Sequence, residues 1–106
     1  MKKHCKSCEG YEKPISFKES NKYLERVSRW KLNKNRKSII KNFKFNNFKD
    51  SLKFVNDIGK LAEKEGHHPD IKLHSYRKVK ISLTTHAING LSENDFILAS
   101  KIDKIL

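Results

Sequence analysis

The chain has 106 residues and a mass of 12.5 kDa, which is room for one domain around one modest core. Hydrophobic residues make up 36% of it, and six Phe, three Tyr and one Trp supply the bulk for that core. Wholly apolar runs stop at a few residues, as in Phe96-Ile97-Leu98-Ala99, so a membrane-spanning helix of about 20 apolar residues is excluded. Met1–Lys6 carries charge with no apolar stretch behind it and reads as no secretory signal. Two cysteines cannot build a disulfide scaffold, so a reduced, cytoplasmic protein is expected. Lys and Arg number 24 against 12 Asp and Glu, a net charge of +12. Residues 1–53 hold +11 of it and residues 54–106 only +1. A basic half suits nucleic acid, a membrane surface or an anionic substrate. However, the lysines alternate with apolar residues, as on a solvated sheet face, and Lys/Asn richness also follows from coding bias. There is no Arg-rich helix, zinc-finger spacing or aromatic RNA-binding signature, so a nucleic-acid partner is not expected.

In chain order, residues 1–13 form an irregular basic lead-in, and a single domain is expected over 14–106. Ser16 and Glu19 have capping-box spacing and open a short helix to about Val27, with Leu24 and Val27 inward. Trp30–Leu32 and Asn42–Asn46 alternate with period two and read as strands, with Asn33–Lys37 as the turn between them. Phe48, Leu52, Val55, Ile58 and Ala62 recur every three or four residues, with Phe54 and Leu61 widening the stripe, which predicts a long helix. Asn47 caps its start, Gly66 ends it and Pro69 follows. Ile71 and Leu73, then Val79, Ile81 and Leu83, mark two more strands about a turn near His74–Lys78. Ser92 and Asp95 open a last helix, with Leu91 set to staple against Phe96. Leu98, Ala99, Ile102 and Ile105 make its apolar face. The order α-β-β-α-β-β-α predicts an α+β fold, a four-stranded antiparallel sheet with three helices on one face. The other sheet face is then polar and lysine-rich, or meets another subunit.

Three of the five histidines fall at element ends: His67 and His68 after Gly66, and His86 after the strand ending near Thr84. If that strand lies beside the one following the long helix, the three imidazoles converge on one cleft. Unperturbed imidazole titrates near pH 6.5 and can give or take a proton near neutrality. Extended neighbours point to opposite faces, so His67 and His68 share a cleft only through a bend at Gly66 and Pro69. Glu63, one turn before His67, either orients an imidazole or is a solvated helix charge. Asp95 either faces the cleft or caps its own helix. No H-E-x-x-H motif is present, and Cys5-x-x-Cys8 is half a zinc site at most, so no metal is expected.

Glu63, three residues, His67-His68-Pro69, six residues, Tyr76, nine residues, His86, eight residues, Asp95: this spacing resembles the signature of the pterin-4a-carbinolamine dehydratases. Trp30, Phe43-Lys44-Phe45, Thr84-Thr85-His86 and Gly90-Leu91-Ser92 look like further landmarks of that family. The resemblance implies the same α+β fold and a reaction. Water is eliminated from a 4a-hydroxytetrahydropterin to give the quinonoid dihydropterin, with no cofactor. His67 and His86 match the family's acid–base histidines, and His68 the one that holds the pterin. Thr84 and Thr85 match ligand-contacting positions, and Glu63 and Asp95 acidic residues lining the site. Many members carry Asp directly before the histidine pair, where this chain has Gly66. The resemblance further implies a homodimer or homotetramer and a functional link to an aromatic amino acid hydroxylase. Its alternative is a non-catalytic dimerisation cofactor that docks through a helix, with the basic half touching nucleic acid.

Overall fold

The computed structural model describes residues 13–106, and every statement of structure below concerns those residues. The lead-in expected over 1–13, with Cys5 and Cys8, lies outside them except for Lys13. The elements are α1 (Phe17–Leu24), β1 (Lys31–Leu32), β2 (Ile39–Lys44), α2 (Phe48–Glu65), β3 (Asp70–His74), β4 (Lys78–Leu83) and α3 (Glu93–Asp103), with a single 3₁₀ turn at His86–Ile88. The α+β class and the order expected from the sequence are both present. The strands form one antiparallel sheet in the order β1-β2-β4-β3. No described helix is long and apolar enough to cross a membrane.

Period-two patterning sets the sheet's two faces. Val79, Ile81 and Leu83 of β4 are fully buried, and their partners Phe43, Ile39, Ile71 and Leu73 share that inner face. Phe54 and Ile58 of α2 and Phe96, Leu98, Ala99 and Ile102 of α3 cover it. Each of the Phe, Leu and Ile side chains contributes about 1.5–3 kcal/mol by leaving water. α1 joins through a stacked pair, Tyr23 on Phe96 at 5.0 Å. Lys41 is the exception on the inner face: its ammonium reaches Asp103 at 2.7 Å and the Ser28 carbonyl at 2.9 Å. Trp30 Nε1 donates to the same carboxylate, so one acid of α3 ties down β2 and the chain before β1.

The expected stripe on α2 is rotated. Its buried positions are Ser51, Phe54, Ile58, Ala62 and Glu65, while Phe48 and Leu52 are about half exposed. Two polar residues sit on the seam because each has a partner: Ser51 Oγ donates to the Tyr76 carbonyl at 2.7 Å, and Glu65 pairs with Lys101 at 2.9 Å. Two boundaries also shift. α1 ends at Leu24, and β2 runs from Ile39 to Lys44 because Asn47 already caps the next helix.

Candidate active site

The site begins where α2 ends. Gly66 adopts φ 66°, ψ 26°, the left-handed conformation that closes a helix with little strain only when no Cβ is present. Its N–H donates to the Ala62 carbonyl, and the chain turns through His67, His68 and Pro69 into β3. β3 pairs with β4, with Asp70 opposite Ser82. The segment entering β3 therefore runs beside the segment leaving β4, which continues into Thr84, Thr85 and His86. The helix exit and the strand exit meet.

A buried network joins them. His67 is only 4% exposed, and its Nε2 lies 2.6 Å from Oδ1 of Asp95, a fully buried carboxylate. Oδ2 of the same carboxylate accepts from Thr85 Oγ1 at 3.0 Å and from the Ser92 backbone N–H at 2.9 Å. Thr85 and Ser92 hydroxyls are 2.7 Å apart. Asp95 thus does both things that its sequence position allowed: it completes the capping box of α3 and grips a histidine. A carboxylate can only accept, so Nε2 of His67 carries the proton. That leaves Nδ1 as the ring atom not engaged by Asp95.

His68 takes the other direction. Its imidazole is exposed and lies 2.7 Å from Glu63, itself exposed on the last turns of α2. Glu63 therefore holds His68, five residues on, and not His67.

His86 is exposed on the 3₁₀ turn just beyond β4. That turn is pinned by the backbone pair Thr85–Gly90 and by Thr84 Oγ1, which donates to the Lys37 carbonyl at 2.6 Å. A groove of about 310 Å³ opens there, lined by His86, Thr84, Asp70, Ser82, Asn89 and the turn around Asn33–Ser38. This is the lower end of the range for small-molecule sites. Asp70, Ser82 and Asn89 were not expected in the site. The pairing of Asp70 with Ser82 brings the first two to the groove, and the only advance signal was the adjacency of Asp70 to the histidine pair. A larger depression of about 510 Å³ lies at the β1 edge, but no histidine or acid lines it.

The structure thus unites His67, Asp95 and Thr85 in one network, sets His86 next to Thr85 on a groove with Thr84, and leaves His68 with Glu63 on the adjoining surface. Gly66 supplies the left-handed turn that leads into His67.

Comparison with known proteins gives this arrangement a family. Residues 13–105 match the family model described as pterin 4 alpha carbinolamine dehydratase. The chain belongs to that family. A protein of Alkaliphilus metalliredigens named "Putative pterin-4-alpha-carbinolamine dehydratase" is 48% identical over 103 residues, spanning 96% of this chain and 91% of that one. One of the same name from Methylococcus capsulatus is 41% identical, over 97% and 90% of the two chains. Among solved structures, a transcriptional coactivator/pterin dehydratase from Brucella melitensis superposes with a TM-score of 0.81 at 32% identity, covering 87% of this chain and 97% of that one. A pterin dehydratase-like protein described as a RuBisCO assembly factor in the alpha-carboxysome shares the fold, with a TM-score of 0.61 at 22% identity.

Proposed function

We propose that this protein is a 4a-hydroxytetrahydropterin dehydratase working by histidine acid–base catalysis. The observation that carries the reading is the His67–Asp95–Thr85 network, which sets one imidazole's tautomer and stands one residue from an exposed second imidazole, His86. Hydroxide leaves poorly, so a general acid must protonate the oxygen on C4a as the C–O bond breaks. The lone pair of the adjacent ring nitrogen expels the water, and a base takes a ring N–H proton to leave the neutral quinonoid product. One proton is given and one is taken, so the pair of imidazoles ends in the charge state in which it began.

His67 and His86 exchange the protons. One gives its proton to the C4a oxygen and the other takes the ring N–H proton. His68, steered by Glu63, holds the pterin rim, with Thr84 and Asp70 offering polar contacts along the groove. Positioned acid–base groups supply about 10²–10⁴-fold acceleration. The reading includes a homo-oligomer, a cytoplasmic setting and a hydroxylase that supplies the substrate. Generating the carbinolamine with such a hydroxylase and following its ultraviolet absorbance tests it. The protein should speed the decay well beyond the spontaneous rate, and an unchanged decay would refute the assignment.

A second reading, a regulatory binding role, draws support from Phe48 and Leu52, half exposed on α2, and from the coactivator in the name of the Brucella structure. It predicts partner binding that survives His67→Ala and fails with Phe48→Ser/Leu52→Ser, and a dehydratase-only protein would show no such partner.

A further inference from the structure

The outer face of the sheet carries a pattern that dehydration does not use. Side chains opposite one another across antiparallel strands share a face. Lys72 lies opposite Lys80, and Lys44 opposite Lys78. These rows therefore set like charges directly beside each other, an arrangement that costs stability. Among the described residues none of the four has an ion-pair or hydrogen-bond partner, whereas Lys41 on the inner face and Lys101 on α3 both do. The strands' outward positions include a single carboxylate, Asp70, at the far end beside the His86 groove. A fold that accepts unrelieved like-charge pairs in consecutive rows has a use for them outside itself.

The face is also shaped. The depression of about 510 Å³ at the β1 edge includes Arg29, Lys31 and Lys34 in its lining. A second, of about 330 Å³, includes Lys44, His74 and Lys78. Both include Asn42, so they adjoin at β2, and neither is lined by an acid. At the tip of the β3–β4 hairpin Tyr76 is 60% exposed, with the Arg77 guanidinium 5.8 Å from its ring centre.

We propose that this outer sheet face binds single-stranded nucleic acid, its phosphates on the lysine rows and a base on Tyr76. Lys78 and Lys80, two apart on β4, are about 7 Å apart, and Lys44 and Lys72 flank them on β2 and β3, so the four present closely spaced charge to a chain of phosphodiesters. Four strands span about 14 Å between their outer axes, too broad for the roughly 12 Å major groove of a duplex, which admits a two-stranded ribbon. A positive groove with an exposed aromatic platform suits a single strand, and binding of this kind is largely indifferent to sequence. A lipid surface fits less well, because among outward strand positions Ile40 alone is apolar and it is half-buried. The basic first half noted in the sequence is thus only part of the feature, since β3 and β4 supply Lys72, Lys78 and Lys80.

The test is fluorescence anisotropy with labelled oligo(U) of about 16 nucleotides, the upper end of a single-module site. Four phosphate contacts predict a log–log salt slope of about −3. Charge reversal at Lys72→Glu, Lys78→Glu and Lys80→Glu should weaken binding at least about tenfold and leave dehydratase activity unchanged. The milder Lys72→Gln, Lys78→Gln and Lys80→Gln variant relieves the cross-strand repulsion, so it stays folded, and its slope should fall to about −1. Lys49→Glu, Lys60→Glu and Lys64→Glu on α2 make the same change in net charge and should weaken binding far less. The proposal is overturned if oligo(U) does not bind, if the α2 variant weakens binding equally, or if phosphatidylserine vesicles bind and oligo(U) does not.

Discussion

His67 and His68 are neighbours in the chain, and each has a carboxylate at nearly the same distance, 2.6 Å and 2.7 Å. Their environments are opposite. The His67–Asp95 pair is 5% and 0% exposed by side chain, and the His68–Glu63 pair 63% and 79%. In the first pair water cannot replace a lost partner, and two further donors depend on the same carboxylate. In the second, solvent competes for every bond. Distance alone would rank the two pairs together, and burial separates them into a fixed imidazole and an adjustable one. On the proposed reaction this division would serve the chemistry: one imidazole is pre-set, and the exposed groups can move to suit a substrate.

The contrast is broken most forcefully at its buried end. Asp95→Ala strands the His67 ring and the Ser92 N–H without their acceptor and leaves the Thr85 hydroxyl only that of Ser92. Denaturant unfolding should show a loss of about 3 kcal/mol or more. A loss below 1 kcal/mol would mean that the network is not holding the fold. Next comes Gly90→Ala. An added Cβ would lie 2.8 Å from Pro14, and the shift would pass to the Thr85–Gly90 pair that anchors the turn carrying His86. A cost of about 1–3 kcal/mol is expected. Gly66→Asp places a carboxylate directly before the histidine pair, and no atom lies within 4 Å of the new Cβ. The left-handed φ is the penalty, about 1–2 kcal/mol, so the thermal midpoint should fall by about 4–16 °C. The smallest effect belongs to the exposed pair: Glu63→Gln should change stability by less than about 0.5 kcal/mol, and any effect should appear in KM.

Much of this was legible in the sequence, for identifiable reasons. The element order followed from period and caps, and Asn47, Gly66 and the Ser92–Asp95 box act in the structure as their positions imply. The phase of α2 was misread because Ser51 and Glu65, both polar, occupy its buried seam, and a hydrophobic pattern cannot credit polar residues whose partners lie on distant elements. The meeting of helix exit and strand exit was legible once β3 and β4 were paired. The split between His67 and His68 was not, because it depends on which imidazole Asp95 reaches across 28 residues. Asp70 and Ser82 escaped notice for the same reason: strand register brings them to the groove, and no motif marks them.

The most direct measurement is the dehydration rate of the carbinolamine with His86→Ala beside the wild type, each with its thermal midpoint. His86 is exposed, so the midpoint should hardly move, while turnover falls about 10²-fold or more. Turnover within twofold of the wild type at an unchanged midpoint would contradict the assignment of an acid–base role to this histidine.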